Sequence, residues 1–152
     1  MKNKIPVDIR VRSERLTADL SRSGNELIPE TDEFLVGGIL KKVKGGLRLQ
    51  YEEDGGNVVT TIDCFDDAFV SLSRIGETRS YMAFNENKSM DCICDTGFFP
   101  IQLRVTTQKL QNTLTRDGGN VDIEYSVEIL GSLAEKNRLS LSVSPDISVL
   151  RS

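Results

Sequence analysis

Two turns with the sequence Asp-Gly-Gly-Asn-Val constrain the fold of this chain more than any other feature. One spans residues 54–58 and the other spans residues 117–121. Adjacent glycines supply the positive φ angles that two-residue hairpin loops need. Each turn lies between segments in which apolar and polar residues alternate, which is the pattern of strands with one buried face. The chain is therefore predicted to form antiparallel hairpins.

The hairpin around the first turn has a register that two independent checks support. A two-residue loop at Gly55-Gly56 brings apolar residues together on one face and an arginine opposite an aspartate on the other. The predicted pairs are Tyr51 with Thr60, Leu49 with Ile62, Leu47 with Cys64 and Arg48 with Asp63.

The second turn is predicted to join two long strands within residues 98–131 through a loop at Gly118-Gly119. This arrangement gives the hairpin a single apolar face, which carries Leu110, Leu114, Ile123, Tyr125 and Val127. The predicted pairs are Arg116 with Val121, Leu114 with Ile123, Asn112 with Tyr125 and Leu110 with Val127.

The upstream strand of that hairpin changes its inward face between Val105 and Leu110, from odd to even positions. A β-bulge near Thr107–Lys109 explains the change, and so does a strand that crosses between sheets at a barrel corner. A helical turn from Thr107 to Leu114 is the alternative interpretation.

Further strands are predicted at Val7–Val11, 68–74, Arg79–Phe84 and Ser89–Asp95, and again from Asn137 to Pro145. Residues 13–31 are polar and contain a glycine and a proline, so they are predicted to form a loop or a short helix followed by a loop. Gly37-Gly38 interrupts the strand at 32–43 and indicates a bulge or a sharp bend. Residues 146–152 form either a short edge strand or a frayed tail.

These elements predict a single all-β domain over residues 1–152, an antiparallel barrel of about eight to ten strands with little helix. Several segments resemble the YwiB-like family of small bacterial proteins of unknown function, namely 71–76, 78–84, the Thr96-Gly97 turn, 105–127 and 136–143. The resemblance implies a calycin-type, lipocalin-like barrel. The chain has no tryptophan, so it lacks the Gly-x-Trp of lipocalins proper.

The composition argues against several classes of function. The chain has no histidine, which removes Ser-His-Asp and Cys-His catalysis and His-ligated zinc. Lys and Arg number 19 against 23 Asp and Glu, which does not favour nucleic-acid binding. No apolar run approaches the length of a membrane span, and no secretory signal is evident. Cys64, Cys92 and Cys94 are interpreted as reduced thiols of a cytoplasmic protein, with no metal and no cofactor.

Tyr51, Arg74 and Tyr125 are the candidate site residues. Each lies on the apolar face of its strand by parity and is expected to point into the barrel. An inward arginine needs a carboxylate, a carbonyl or a bound anion, because an isolated buried charge is costly. The three residues form either a hydrogen-bonded plug or an anchor for a ligand.

We therefore expect a non-enzymatic barrel that binds a small amphipathic or apolar molecule in its lumen. The alternative is a protein-interaction or assembly module whose barrel is filled by side chains. A homodimer is compatible with either function.

Overall fold

The computed structural model describes residues 4–18, 27–66, 68–95, 98, 100–129 and 131–145, which form ten antiparallel strands. Each strand pairs with its sequence neighbours, and the first strand also pairs with the last, so the sheet closes into a barrel. The predicted all-β antiparallel barrel is confirmed. The strands are β1 (Lys4–Ala18), β2 (Leu27–Val43), β3 (Gly46–Glu53), β4 (Val58–Phe65), β5 (Phe69–Ile75), β6 (Arg79–Asn85), β7 (Ser89–Asp95), β8 (Pro100–Asn112), β9 (Gly119–Ile129) and β10 (Ser132–Pro145).

The prediction for residues 13–31 was wrong wherever the structure describes them. Ser13–Ala18 continues β1, and 27–31 begins β2. A polar sequence can form a strand here because β1 is hydrogen-bonded on both sides: Ser13 pairs with Asp32 of β2 and with Leu139 of β10. The backbone N–H and C=O groups of this segment therefore have partners. The neighbouring residues Arg15 and Leu16 are both exposed there, so the segment lacks the alternation of buried apolar and exposed polar residues that would have predicted a strand. Residues 19–26 and the predicted tail at 146–152 lie outside the described residues.

The first hairpin is confirmed in every predicted pair. Gly55 and Gly56 have φ angles of 64° and 94°, and the Asn57 N–H donates to the Asp54 carbonyl oxygen at 3.1 Å. On the outer face, Arg48 donates to both carboxylate oxygens of Asp63, at 2.8 Å and 3.1 Å. The local turn chemistry therefore sets this register.

The register of the second hairpin was predicted wrongly. Leu110 pairs with Ile123 rather than with Val127, and the strands are joined through residues 113–118. Polar side chains close this wider turn, since the Thr113 hydroxyl accepts from the Asn120 N–H and the Asn112 side-chain oxygen accepts from the Leu114 N–H. The displacement is four residues, an even number, so the apolar face is the one that was predicted.

The predicted β-bulge at Thr107–Lys109 is confirmed as a register shift between β8 and β9, and the helical alternative is wrong. No bulge occurs at Gly37-Gly38, where β1 and β2 pair in continuous register through the described residues. Gly38 has a packing role instead. A Cβ there would come within 2.6 Å of Ile9 Cδ1 and 2.7 Å of the Gln50 carbonyl oxygen.

The middle of the barrel is packed with side chains. Every strand contributes at least one that is almost completely buried, and these are Ile9, Leu40, Leu49, Ile62, Val70, Phe84, Cys92, Val105, Ile123 and Leu141. They belong to one contiguous apolar cluster. Dense packing of this kind leaves little room for a guest molecule in the centre.

We predict that Gly119→Ala destabilises the fold strongly. Gly119 has a φ of 142°, and a Cβ at this position would overlap the Thr113 carbonyl oxygen. Backbone strain alone costs about 1–3 kcal/mol, and the overlap adds to it. Gly37→Ala is the matched control, because a Cβ at Gly37 meets no heavy atom within 4 Å. Urea unfolding curves of both variants measure the difference, and equal stabilities would contradict this geometry.

Candidate functional site

One end of the barrel carries polar residues at inward-facing positions, and we call it the polar end. It lies where β3 turns into β4 and β5 turns into β6, and where β9 turns into β10. Two register rows build it. The first row runs Tyr51–Thr60–Arg74–Ser80 across β3 to β6, and the second runs Thr107–Tyr125–Asn137–Arg15 across β8, β9, β10 and β1.

The first row is organised by the carboxylate of Glu53. Its Oε2 accepts a hydrogen bond from the Thr60 hydroxyl at 2.6 Å and another from Arg74 Nη2 at 3.1 Å. Thr60 is buried, whereas half of the Arg74 side chain is exposed. The predicted inward arginine is therefore found at the rim of the barrel end, already paired with a carboxylate.

A surface pocket of about 780 Å³ lies beside Arg74, within the range of about 300–1,000 Å³ that is usual for small-molecule sites. Its wall includes Asn57 and Glu77 from the turns after β3 and β5, and Val58 and Ser80 from the first residues of β4 and β6. The guanidinium of Arg74 thus borders both the barrel interior and a concave surface. This position gives Arg74 access to a molecule that approaches from the polar end.

The second row is organised by Glu135 in a similar way. Its carboxylate accepts from Asn137 Nδ2 at 3.0 Å and lies 3.9 Å from Arg15 Nε. Two buried oxygens of the row, Thr107 Oγ1 and Asn137 Oδ1, have no hydrogen-bond partner among the described residues. Thr107 is 1% exposed, so its hydroxyl is removed from bulk solvent. Unpaired buried polar atoms are uncommon in folded proteins, and each one needs a physical explanation.

Arg74 connects the two rows electrostatically. Burial raises the pKa of Tyr51 to about 12, with Glu53 adding to the increase and Arg74 opposing it. Burial also raises the pKa of Tyr125 to about 12, with Glu135 adding to the increase, whereas Arg15, a side-chain hydrogen bond with Asn137 and Arg74 oppose it. The structure therefore brings the three sequence-predicted residues together at one end of the barrel.

Both tyrosines of the polar end pack against phenylalanine rings. Tyr51 contacts Phe34 edge-on, with ring centroids 6.4 Å apart, and Tyr125 contacts Phe84 with centroids 4.7 Å apart. Both arrangements are favourable for aromatic pairs. The two tyrosines thus connect the polar end to the apolar core.

Sequence reasoning missed Glu53, Thr107 and Asn137. A signal existed for two of them, since Glu53 shares the parity of Tyr51 and Asn137 shares the parity of Leu139 and Leu141. Thr107 lies at the bulge, where the inward-facing positions change from odd to even residue numbers. The direction of its side chain therefore cannot be predicted from the alternation pattern.

Cys64 and Cys92 do not belong to either register row of the polar end. Cys64 and Cys92 are buried, and burial raises the pKa of Cys64 to about 12 and also raises the pKa of Cys92. Among the described residues, no three His, Cys, Asp or Glu side chains group as metal ligands would. No helix in that part of the chain is long and apolar enough to cross a membrane.

Comparisons with known proteins agree with this fold. The model of a domain of unknown function (DUF1934) matches residues 15–141. The crystal structure of the ywiB protein from Bacillus subtilis is similar, with a TM-score of 0.77 and 21% sequence identity over 96% of this chain and 95% of that chain. The comparison with curated proteins finds no match. The resemblance to YwiB-like barrel proteins of unknown function is confirmed.

We predict that Arg74→Met lowers the free energy of unfolding by about 1 kcal/mol or less, as expected for a partly exposed ion pair. Glu53 keeps its hydrogen bond from Thr60, so it is not left alone. Arg138→Met is the matched control, because the Arg138–Asp122 pair on the outer face has similar exposure, 46% and 23% against 50% and 21%. A loss of about 3 kcal/mol or more at Arg74 alone would identify a truly buried pair.

We also predict that alkali destabilises the barrel through Tyr51 and Tyr125. The pKa of each is raised to about 12 in the folded state, against about 10 in the unfolded chain. Their contribution to stability is therefore complete below pH 10 and is lost as the pH rises through 12. Urea unfolding at several pH values measures this loss, which should be smaller in the double variant Tyr51→Phe, Tyr125→Phe. An identical pH dependence in both proteins would contradict burial of the two hydroxyls.

Proposed function

The chain belongs to the DUF1934 family, whose function is unknown, and we propose that it is a non-enzymatic protein that binds a small amphipathic molecule at the polar end. The molecule rests on the aromatic rings of the polar end and forms hydrogen bonds with the two register rows. This location refines the expected lumen site, since the side chains in the middle of the barrel leave little room for a guest.

The observation that carries this proposal is that two buried oxygens, Thr107 Oγ1 and Asn137 Oδ1, have no hydrogen-bond partner among the residues that the structure describes. Both belong to the second row and flank Tyr125, on neighbouring strands. A buried polar atom without a partner costs about 1–3 kcal/mol. A ligand that donates to Asn137 Oδ1 and exchanges a hydrogen bond with the Thr107 hydroxyl would recover this cost on binding.

The charges of the polar end indicate the chemistry of the ligand. Arg74 is paired with Glu53, and Arg15 lies near Glu135, so each positive charge has a negative one beside it. A purely anionic head group would therefore face two carboxylates as well as two guanidinium groups. A head group that is uncharged or zwitterionic, with both donors and acceptors, fits this arrangement better.

Absence of catalysis is part of the proposal. The chain has no histidine to act as a base near neutral pH. Burial raises the pKa of the Tyr51 and Tyr125 hydroxyls to about 12, so both stay protonated near neutral pH and do not act as bases. The polar end is therefore expected to bind a ligand through hydrogen bonds and complementary shape, without a chemical reaction. We further infer a cytoplasmic protein, since its three cysteines are free thiols.

A second candidate function is a protein-interaction or assembly module. The packed interior favours it, because all ten strands contribute buried side chains to the core. In that case the unpartnered oxygens of the second row are satisfied by water, and binding takes place on the outer surface.

We predict that Thr107→Val leaves the free protein equally stable or more stable by about 1 kcal/mol, because it removes an unpaired buried hydroxyl. Thr60→Val is the matched control. Thr60 is also 1% exposed, but its hydroxyl donates to Glu53, so its loss should destabilise the protein. Thermal or urea unfolding of the two variants gives both values, and a destabilised Thr107→Val would mean that this hydroxyl already has a partner.

Binding is tested with the same variants. Native mass spectrometry of the purified protein, and thermal shifts with acyl, aromatic and tetrapyrrole compounds, should identify a compound that binds one to one and raises the melting temperature. Thr107→Val should then weaken its binding about tenfold, the effect of about 1.4 kcal/mol. If none of these compounds binds, the interaction module becomes the better function.

A further inference from the structure

The outer face of β5, β6 and β7 carries exposed apolar side chains next to one another. Tyr81 and Ile93 are directly opposite each other across β6 and β7. Ile75 lies diagonally beside Tyr81, since Ser73 and Ile75 pair with Tyr81 and Arg79. These three side chains are 49–59% exposed, although large apolar residues gain free energy by leaving water. We call Ile75, Tyr81 and Ile93 the outer patch.

The charged rim of the outer patch contains both signs. Arg79 and Asp95 form the next cross-strand pair on one side. Asp91 and Arg104 flank it on the other side, with Arg104 Nε 3.3 Å from the Asp91 carboxylate. Surfaces that bind strongly acidic or strongly basic partners carry an excess of one sign. A rim with both signs is complementary to itself.

We propose that the outer patch is a self-association surface whose partner is a second copy of this chain. In a two-fold symmetric contact, the same patch is used by both copies, and a base of one rim faces an acid of the other. Tyr81 and Ile93 form the apolar centre of the contact, and the rim charges fix the orientation of the two copies. The outer patch faces away from the barrel interior, although Ile75 also lines the surface pocket beside Arg74.

The size of the patch sets the strength of the dimer. Stable interfaces bury about 800 Å² on each partner, and three apolar side chains supply only the centre of such an area. The dimer is therefore expected to dissociate on dilution, with equilibrium between the two states at micromolar to millimolar protein. Monomer and dimer should both be visible in one concentration series.

Sedimentation equilibrium of the full chain, from about 1 μM to about 1 mM, a range that brackets dissociation constants of weak complexes, tests the proposal. The wild-type chain should show a rising mass that fits a monomer–dimer equilibrium. Ile93→Lys should raise the dissociation constant at least tenfold, because it buries an unpaired charge at the centre. Arg79→Glu should raise it as well, because it places a third acid on a rim that faces Asp91 and Asp95 of the other copy.

Leu35→Lys is the matched control, since Leu35 is an apolar residue of β2 that is 70% exposed and lies four strands from β6. It should leave the dissociation constant unchanged. Circular dichroism melts check that each variant is folded, and Tyr81→Ser replaces Ile93→Lys if the latter is not. A wild-type chain that is monomeric up to about 1 mM overturns the proposal. A dimer that survives the patch variants, or that is lost in Leu35→Lys, overturns it too.

Discussion

Pairing between β1 and β10 is the constraint on which the rest of this structure depends. The two strands run antiparallel from Val7 and Pro145 to Thr17 and Glu135, and they convert an open sheet into a barrel. Closure removes the unpaired edges that an open sheet would present along these strands. It also encloses the apolar faces of all ten strands in one cluster. The contact also completes the second register row, because it brings Arg15 beside Asn137.

The interior combines two environments with opposite requirements. Its middle is stabilised by burial of apolar side chains. Its polar end instead contains two glutamates, two arginines and two tyrosines, which are partly or largely removed from solvent. Each glutamate is placed where it both accepts a hydrogen bond and lies near an arginine, which keeps the charges tolerable. The oxygens of Thr107 and Asn137, which have no partner among the described residues, are the exception. A local energetic cost of this kind is typical of functional sites.

Inside and outside surfaces of the same strands have different roles here. On β5, Arg74 contributes to the polar end and the next residue, Ile75, contributes to the outer patch. Alternation of side chains along a strand makes this division possible, because neighbouring residues point to opposite faces. The proposed ligand site and the proposed self-association surface therefore lie close together, and Ile75 belongs to the outer patch as well as to the wall of the pocket beside Arg74.

The sequence by itself determined most of the strands, the first hairpin with all its pairs and the apolar face of each hairpin, and it indicated the change of inward face that the bulge at Thr107–Lys109 produces. The preference of certain residues for turns and the alternation of side chains along a strand both act over a few residues, so both can be recognised in the sequence. Only the tertiary structure decided the register of the second hairpin, the strand state of Ser13–Ala18 and the partners of Arg74 and Tyr125. These features depend on which strands, distant in the sequence, pair with one another. They also depend on polar side chains such as Thr113, whose hydrogen bond with the Asn120 N–H forms only once the two strands are paired.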